Sequence, residues 1–204
     1  MTPQAALERG LAELALNLPE GAVDELLKYV ALIEKWNRTY NLTAIRSPLE
    51  MVSHHLLDSL AVAAHLPMTP HATLADVGSG AGLPGIPLAI ARPEWRITLN
   101  DSSQKKTAFL RQAAIDLRLG NVELHEGRVE SWRPATLFAV VISRAFAGLT
   151  QFVSRCRHLV APEGTLAAMT GAAPRECRGE VMPIKVPLLD AQRHLVLWRV
   201  GEAK

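Results

Sequence analysis

The run Asp76-Val77-Gly78-Ser79-Gly80-Ala81-Gly82 sets three glycines at alternate positions, directly after an apolar stretch that reads as a strand and before a helical segment. Lacking Cβ atoms, such a run turns tightly and lets main chain approach a ligand to contact distance. The carboxylate of Asp76 at the strand end can face a cation, which suits the amino end of S-adenosylmethionine. Asp76, Gly78, Gly80 and Gly82 are therefore candidate cofactor residues. Glycine turns also serve geometry alone, but the strand and the acid favour a ligand loop. Gly80, Gly82 and Gly85 satisfy G-x-G-x-x-G as well, with Asp101 lying 21 residues beyond Gly80, the spacing of a nicotinamide-dinucleotide fingerprint. Register argues against that reading. The fingerprint should begin where the strand ends, at Gly78, and its third-glycine position is then Leu83, while Pro84 and Pro87 delay the helix.

Asp101 follows the second strand, where a carboxylate can accept two hydrogen bonds from ribose hydroxyls; its bland use is a charge at the start of the next helix. Gly127-Arg128-Val129-Glu130 follows the third strand, where backbone groups can read an adenine edge, although Glu130 can equally be a solvated loop charge. Ser143-Arg144-Ala145-Phe146 ends the fourth strand, at the carboxyl edge where ligands of open α/β sheets react. Amine methyltransferases often carry an acid or amide at that position, and here it is arginine. Guanine N7 has an in-plane lone pair and needs no base, so alignment alone can drive methyl transfer to it. Arg144 can hold O6 and phosphate while Phe146 packs on the base; it can equally pair with the cofactor carboxylate or a structural acid.

Two further constellations have weaker claims. Trp36-Asn37-Arg38-Thr39-Tyr40-Asn41-Leu42-Thr43 mixes aromatic and polar residues at a helix end, suited to RNA contact or, more commonly, to a packed corner tied down by Asn41 and Thr43. His54 and Asp58 share a helix face, and without a third ligand at matching spacing they read as a hydrogen-bonded brace for the cofactor loop, not a metal site.

The elements that must position these residues are legible in outline. Apolar residues at Val23, Leu26, Leu27, Val30 and Ile33, and again at Leu49, Val52, Leu56 and Leu60, recur at helical spacing, and a weaker helix is expected over 4–16. The second strong helix should start at Pro48, capped by Ser47 with Glu50 completing a capping box. From Ala72 short apolar runs alternate with helical patterns: Thr73 to Val77, Ile97 to Leu99, Val122 to Leu124, Phe138 to Ile142 and Thr165 to Met169. That alternation implies a parallel sheet with crossover helices, the clearest over Lys106 to Leu119 with Gly120 in the C′ position. Runs at Ile184 to Leu189 and Leu195 to Val200 suggest an antiparallel pair at one sheet edge. The expected organisation is a helical extension over 1–68 packed on an α/β core over 69–204, in one compact unit.

The 204 residues suffice for a core without staples, and 49% hydrophobic with 21% charged residues is an ordinary soluble balance. A net charge of +2 permits an anionic partner without demanding one. Cys156 and Cys177 match no C-x-x-C spacing, no leader-like segment is apparent, and every apolar stretch is broken well short of the ~20 residues of a membrane span, so a cytoplasmic protein is expected.

The strings WNRTYNLTAI (Trp36 to Ile45), HLLDSLAV (His55 to Val62), DVGSGAGLPGIP (Asp76 to Pro87), Arg128 to Glu130 and SRAF (Ser143 to Phe146), in that order, resemble the RsmG family, also called glucose-inhibited division protein B, and Arg193-His194-Leu195-Val196 extends the likeness. The resemblance implies a class I S-adenosylmethionine-dependent methyltransferase with a Rossmann-like, mainly parallel seven-stranded sheet, acting on guanine N7 of 16S ribosomal RNA, free or in the small-subunit particle. It implies cofactor contacts at Gly78, Leu83, Val129, Glu130 and Arg144, with Asp101 on the ribose strand, and neither metal nor membrane; a monomer is expected. Two positions depart from the family pattern. Met169-Thr170-Gly171 stands where Leu-Lys-Gly is usual, removing a cation from beside the active site, and Asn100 replaces an apolar residue. The alternatives are a methyltransferase of the same fold acting on a protein or small molecule, and a noncatalytic RNA-binding module, which would need no cofactor loop.

Overall fold

The computed structural model describes residues 1–144, 146, 148–174 and 176–201. Ala145 of the Ser143 to Phe146 run and Arg175 of the loop after Gly171 lie outside the described residues.

The helical extension comes first. α1 (Pro3–Glu13) starts at Thr2, whose side chain accepts from the Ala5 amide at 3.2 Å, and the chain turns away through Ala15 at positive φ, earlier than the 4–16 pattern suggests. α2 (Ala22–Tyr40) buries Leu26, Tyr29, Val30 and Ile33 along one stripe and stops at Asn41, which takes the left-handed conformation that asparagine tolerates. α3 (Pro48–Met51) has Ser47 at its N-cap, but no side-chain capping bond forms there, so the expected capping box is absent. The chain continues through π-helical turns at Val52–Leu57 into α4 (Asp58–Leu60). Widened turns of this kind recur at functional sites, and this one carries His54 and His55 to the edge of the site.

Seven strands follow: β1 (Thr73–Val77), β2 (Arg96–Asp101), β3 (Val122–Glu126), β4 (Phe138–Arg144), β5 (Val160–Thr170), β6 (Glu180–Pro183) and β7 (His194–Arg199). Their order is β3-β2-β1-β4-β5-β7-β6; β1 to β5 pair in parallel, and β7 runs antiparallel between β5 and β6. The order reverses between β1 and β4, and a doubly wound sheet binds its ligand outside the carboxyl ends at such a switch point.

α5 (Gly85–Ala91), α6 (Gln104–Asp116) and the extension cover one face, where Leu7, Leu26 and Leu56 share a buried cluster with Leu74, Leu99 and Ile142. α7 (Leu149–Cys156) covers part of the other, packing Phe152 and Cys156 on Val141, Leu166 and Ala168.

Two expectations fail for identifiable reasons. α6 ends at Asp116, and Arg118, not Gly120, takes the positive φ of the C′ position; the Leu119 amide then bonds back to Ala114 at 2.9 Å, which folds Leu117 and Leu119 onto the core. The expected strand at Ile184 to Leu189 is loop, and β6 lies just before it. Ile184 and Val186 are apolar because the loop buries them, while Pro187 interrupts any further ladder.

Candidate active site

The glycine loop leaves β1 at Val77 and is fixed from three sides. From behind, the Ser79 amide donates to the Asn100 carbonyl at 3.0 Å. From β2, Asp101 accepts from the Gly80 amide at 3.0 Å and from the Ser103 amide at 2.9 Å, with Lys106 Nζ at 3.7 Å. From the extension, the buried Tyr29 hydroxyl donates to the Ala81 carbonyl. Sequence reasoning missed Tyr29, because its place in the apolar stripe of α2 looks like simple core. Burial pushes its phenol well above the usual range, so it stays a donor.

Gly78 and Gly80 have φ of +67° and +61°, and among the described residues a Cβ at Gly78 would meet nothing within 4 Å and one at Gly80 only the Gly78 carbonyl at 3.9 Å. The main chain thus borders open space that any side chain would fill, the form a nucleoside cradle requires. Gly85 has the opposite surroundings: a Cβ there would strike Leu99 and the Asp76 side chain. It therefore performs the close helix-to-strand packing assigned to the third glycine of the dinucleotide fingerprint, without the loop register of that fingerprint.

Asp76 is fully buried at the end of β1. Its Oδ2 accepts from the Gly85 amide at 2.9 Å, whereas Oδ1 has no hydrogen-bond partner among the described residues. Burial raises its carboxyl to about 7, against the smaller opposing pull of the Gly85 amide and the Arg144 charge. A buried carboxylate oxygen left unpaired beside an open glycine cradle fits a ligand that brings its own cationic donor. These residues therefore fit S-adenosylmethionine.

Beyond β2 lie β3 and the short 3-10 turn Val129–Ser131, where the adenine contacts are expected. Asn100 here has work that an apolar residue could not do: its amide donates to the His125 and Gly127 carbonyls at 3.1 and 2.9 Å, tying β2 to the loop that leads to Val129. Val129 is buried, and the Glu130 carboxylate engages Arg155 of α7 at 3.0 Å. Leu83, also buried, follows the loop.

The carboxyl end of β4 is built around a carboxylate. Asp58, 3% exposed, accepts from Arg144 at 3.2 Å through one oxygen and from Arg193 at 2.8 Å through the other, and Arg144 also donates to the His54 carbonyl at 2.9 Å. The expected His54–Asp58 pair is replaced by this double bridge; the His54 ring bonds Ser53 and the Glu50 carbonyl instead. The structural-acid role weighed for Arg144 is thus present, and its guanidinium still borders a cleft of about 480 Å³ with Phe146, Met169, Thr170 and Arg193. Arg193, just before β7, returns a cation to the neighbourhood that lacks the family lysine at Thr170. Sequence reasoning noticed its string only as a likeness.

The Trp36 to Thr43 corner is packed. Asn37, rather than Asn41, ties it, accepting from the Thr43 amide at 3.0 Å, and the Thr43 hydroxyl meets His55 Nε2 at 3.0 Å. Burial and the neighbouring Arg144 charge lower the His55 imidazole to about 4, so it is neutral at physiological pH. Among the described residues, no group of three or more His, Cys, Asp or Glu is placed to hold a metal, and no helix is long and apolar enough to cross a membrane.

Comparison with known proteins agrees with this geometry. Among solved structures, a SAM-dependent methyltransferase from Aquifex aeolicus superposes with a TM-score of 0.56 over 71% of this chain and 90% of its own at 14% identity. A precorrin-6y C5,15-methyltransferase from Geobacter metallireducens superposes at 0.54 over 69% and 86% at 13% identity. Both likenesses concern the fold alone, that of class I methyltransferases. Curated proteins named ribosomal RNA small subunit methyltransferase G are far more similar: one from Chromobacterium violaceum is 50% identical over 94% of this chain and 95% of its own length, and one from Methylobacillus flagellatus is 49% identical over 95% and 96%. The family model described as GidB, rRNA small subunit methyltransferase G, matches residues 22–180, a span that includes the glycine loop, Asp101, Arg144 and most of the extension that braces them, and the chain belongs to that family.

Proposed function

We propose that this protein transfers a methyl group from S-adenosylmethionine to N7 of a specific guanine in 16S ribosomal RNA, acting in the cytoplasm as a monomer and without a metal. The observation that carries the reading is the open glycine cradle with the unpaired Asp76 oxygen, set one strand away from a paired-arginine cleft. Bound S-adenosylmethionine supplies an electrophilic methyl on a positively charged sulfur. Asp76 and the main chain of the 78–82 loop would hold its amino-acid end, Asp101 the ribose, and Val129 and Glu130 the adenine side, with Leu83 packing alongside.

The incoming guanine N7 needs no proton removed, so the task of the protein is orientation. Arg144, anchored by Asp58 and the His54 carbonyl, presents its guanidinium to the purine edge, and Phe146 closes the cleft beside it. Rigid anchoring matters here, because an error of about 1 Å in the bound geometry can cost roughly 100-fold in rate. Neutral His55 adds no charge that would repel the sulfonium.

The test is mass mapping of methylated guanines in 16S rRNA from cells with and without the protein, joined to in vitro transfer on assembled small subunits and on deproteinised rRNA. One N7-methylguanine that disappears in the knockout and returns with purified protein is expected. An unchanged methylation map would end the proposal.

A pH dependence follows from Asp76. Its folded value, raised to about 7 from 3.8, means that stability from the neutral carboxyl is full below about 4 and is lost as pH rises toward 7. A cationic amino group prefers the ionised form, so S-adenosylmethionine affinity should climb by up to about tenfold per pH unit below 7 and level off above it. Asp76→Asn should bind more weakly at pH 8 and show a flat profile. Calorimetric titrations between pH 5.5 and 8.5 check this, and a flat wild-type profile would remove Asp76 from the ligand contact.

A further inference from the structure

The sheet face that carries α7 holds a second and larger concavity, a groove of about 1480 Å³. It exists because of how the chain crosses after β5: among the described residues no helix lies between β5 and β6 or between β6 and β7, so this face is left open beyond α7. The floor is Leu166 and Trp198, one wall is α7 with Thr150 and Ser154 and, just past its end, Arg157, and Arg178 stands on the other.

The groove begins close in the chain to the reactive edge. Leu149, the first residue of α7, lines it, and three residues earlier Phe146 lines the cleft beside Arg144. The Phe146 and Phe152 rings lie 5.5 Å apart, and those of Phe152 and Trp198 6.2 Å, so packing through the buried Phe152 ring links the side chains that line the two cavities. The lining carries the arginines 157, 178 and 199 against Glu176 and Glu180; Arg157 and Arg178 are exposed, and among the described residues neither is in an ion pair. A groove built for a protein helix would present an apolar rim. This one offers guanidiniums, two hydroxyls and a half-buried indole, the set that holds a phosphate backbone while a base stacks.

We propose that the groove seats single-stranded RNA adjoining the target guanosine, with phosphates on Arg157 and Arg178 and a base against Trp198. This assignment rests on the rRNA reading above for the identity of the nucleic acid, but it concerns residues outside the cofactor loop and the arginine cleft.

The test uses full-length protein, assembled small subunits and a fluorescein-labelled single-stranded fragment of 16S rRNA centred on the methylated guanine. Arg157→Glu/Arg178→Glu changes two exposed side chains, and Trp198→Leu removes the stacking surface. Melting curves and S-adenosylmethionine affinity report whether each variant is folded, and the double arginine variant keeps the test decisive should Trp198→Leu misfold. For the double variant we expect the fragment Kd and the KM for small subunits to rise at least tenfold, with kcat within twofold and cofactor affinity unchanged. The slope of log Kd against log salt should fall by about 1.4, the value for two lost single-strand phosphate contacts. Unchanged Kd and KM would overturn the proposal. So would a loss seen with assembled subunits but not with the fragment, which would place a ribosomal protein in the groove, or conversion of a dimer to a monomer on sedimentation, which would place a second copy there. Should the wild type transfer no methyl to rRNA while the double variant still loses the fragment, the substrate reading falls and the groove assignment stands.

Discussion

Replacing Gly80 with valine is expected to abolish measurable S-adenosylmethionine binding while the protein remains folded. Residue 80 has φ of +61°, where an L side chain costs about 1–2 kcal/mol and a β-branched one somewhat more. That is a fraction of the 5–15 kcal/mol by which a domain of this kind is typically stable, so a lower melting temperature is expected, not collapse. The Cβ that valine adds has, among the described residues, only the Gly78 carbonyl within 4 Å, at 3.9 Å. Its methyl groups instead stand in the space bordered by the loop, where a nucleoside would lie. Gly80→Ala should weaken binding less than valine does, and Gly120→Val, which also meets nothing within 4 Å but lies at the opposite end of the sheet, should leave it intact. Calorimetric titration with melting curves as the folding control reads all three. A valine variant binding within threefold of wild type would show that the ligand lies elsewhere.

That prediction could be framed from sequence because the signal there is local. Strand, acid and alternating glycines sit within the ten residues 73–82, and the chemistry of the loop belongs to main chain, which needs no distant partner to be recognised. The five parallel strands were legible for a similar reason, since buried parallel strands read as short apolar runs between turn signals. The parts that escaped depend on contacts distant in sequence. Tyr29 reaches Ala81 across 52 positions, and Arg193 reaches Asp58 across 135. The apolar pattern at Ile184 and Val186 reports burial truthfully but not strand, because a proline-interrupted loop can bury side chains without a ladder. The partners of Asp58 are hidden for the same reason: a helix-face argument offers His54 and cannot see Arg144 arriving from the end of β4 and Arg193 from just before β7.

The double bridge also separates two substitutions that a residue list would treat alike. Arg144→Ala removes one guanidinium but leaves Asp58 bonded to Arg193 at 2.8 Å, so the buried carboxylate keeps a charged partner and the fold should change little. Turnover should fall at least about 100-fold, because the cation facing the purine edge is lost along with its anchoring. Asp58→Ala does the reverse. It leaves both arginines in place without the acid that orients them, each about a quarter exposed. Partial hydration moderates the cost below that of a fully buried pair, to roughly 2–4 kcal/mol, or a melting temperature lower by on the order of 10 °C. Asp58→Asn keeps one acceptor and should fall between. Activity on small subunits, cofactor affinity and melting curves together distinguish the cases: Arg144→Ala inactive yet thermally near wild type with cofactor affinity reduced by less than tenfold, Asp58→Ala inactive and thermally weakened. An Arg144→Ala enzyme with normal turnover would mean that this arginine serves only to satisfy Asp58, and the cation positioning the base would then have to be Arg193.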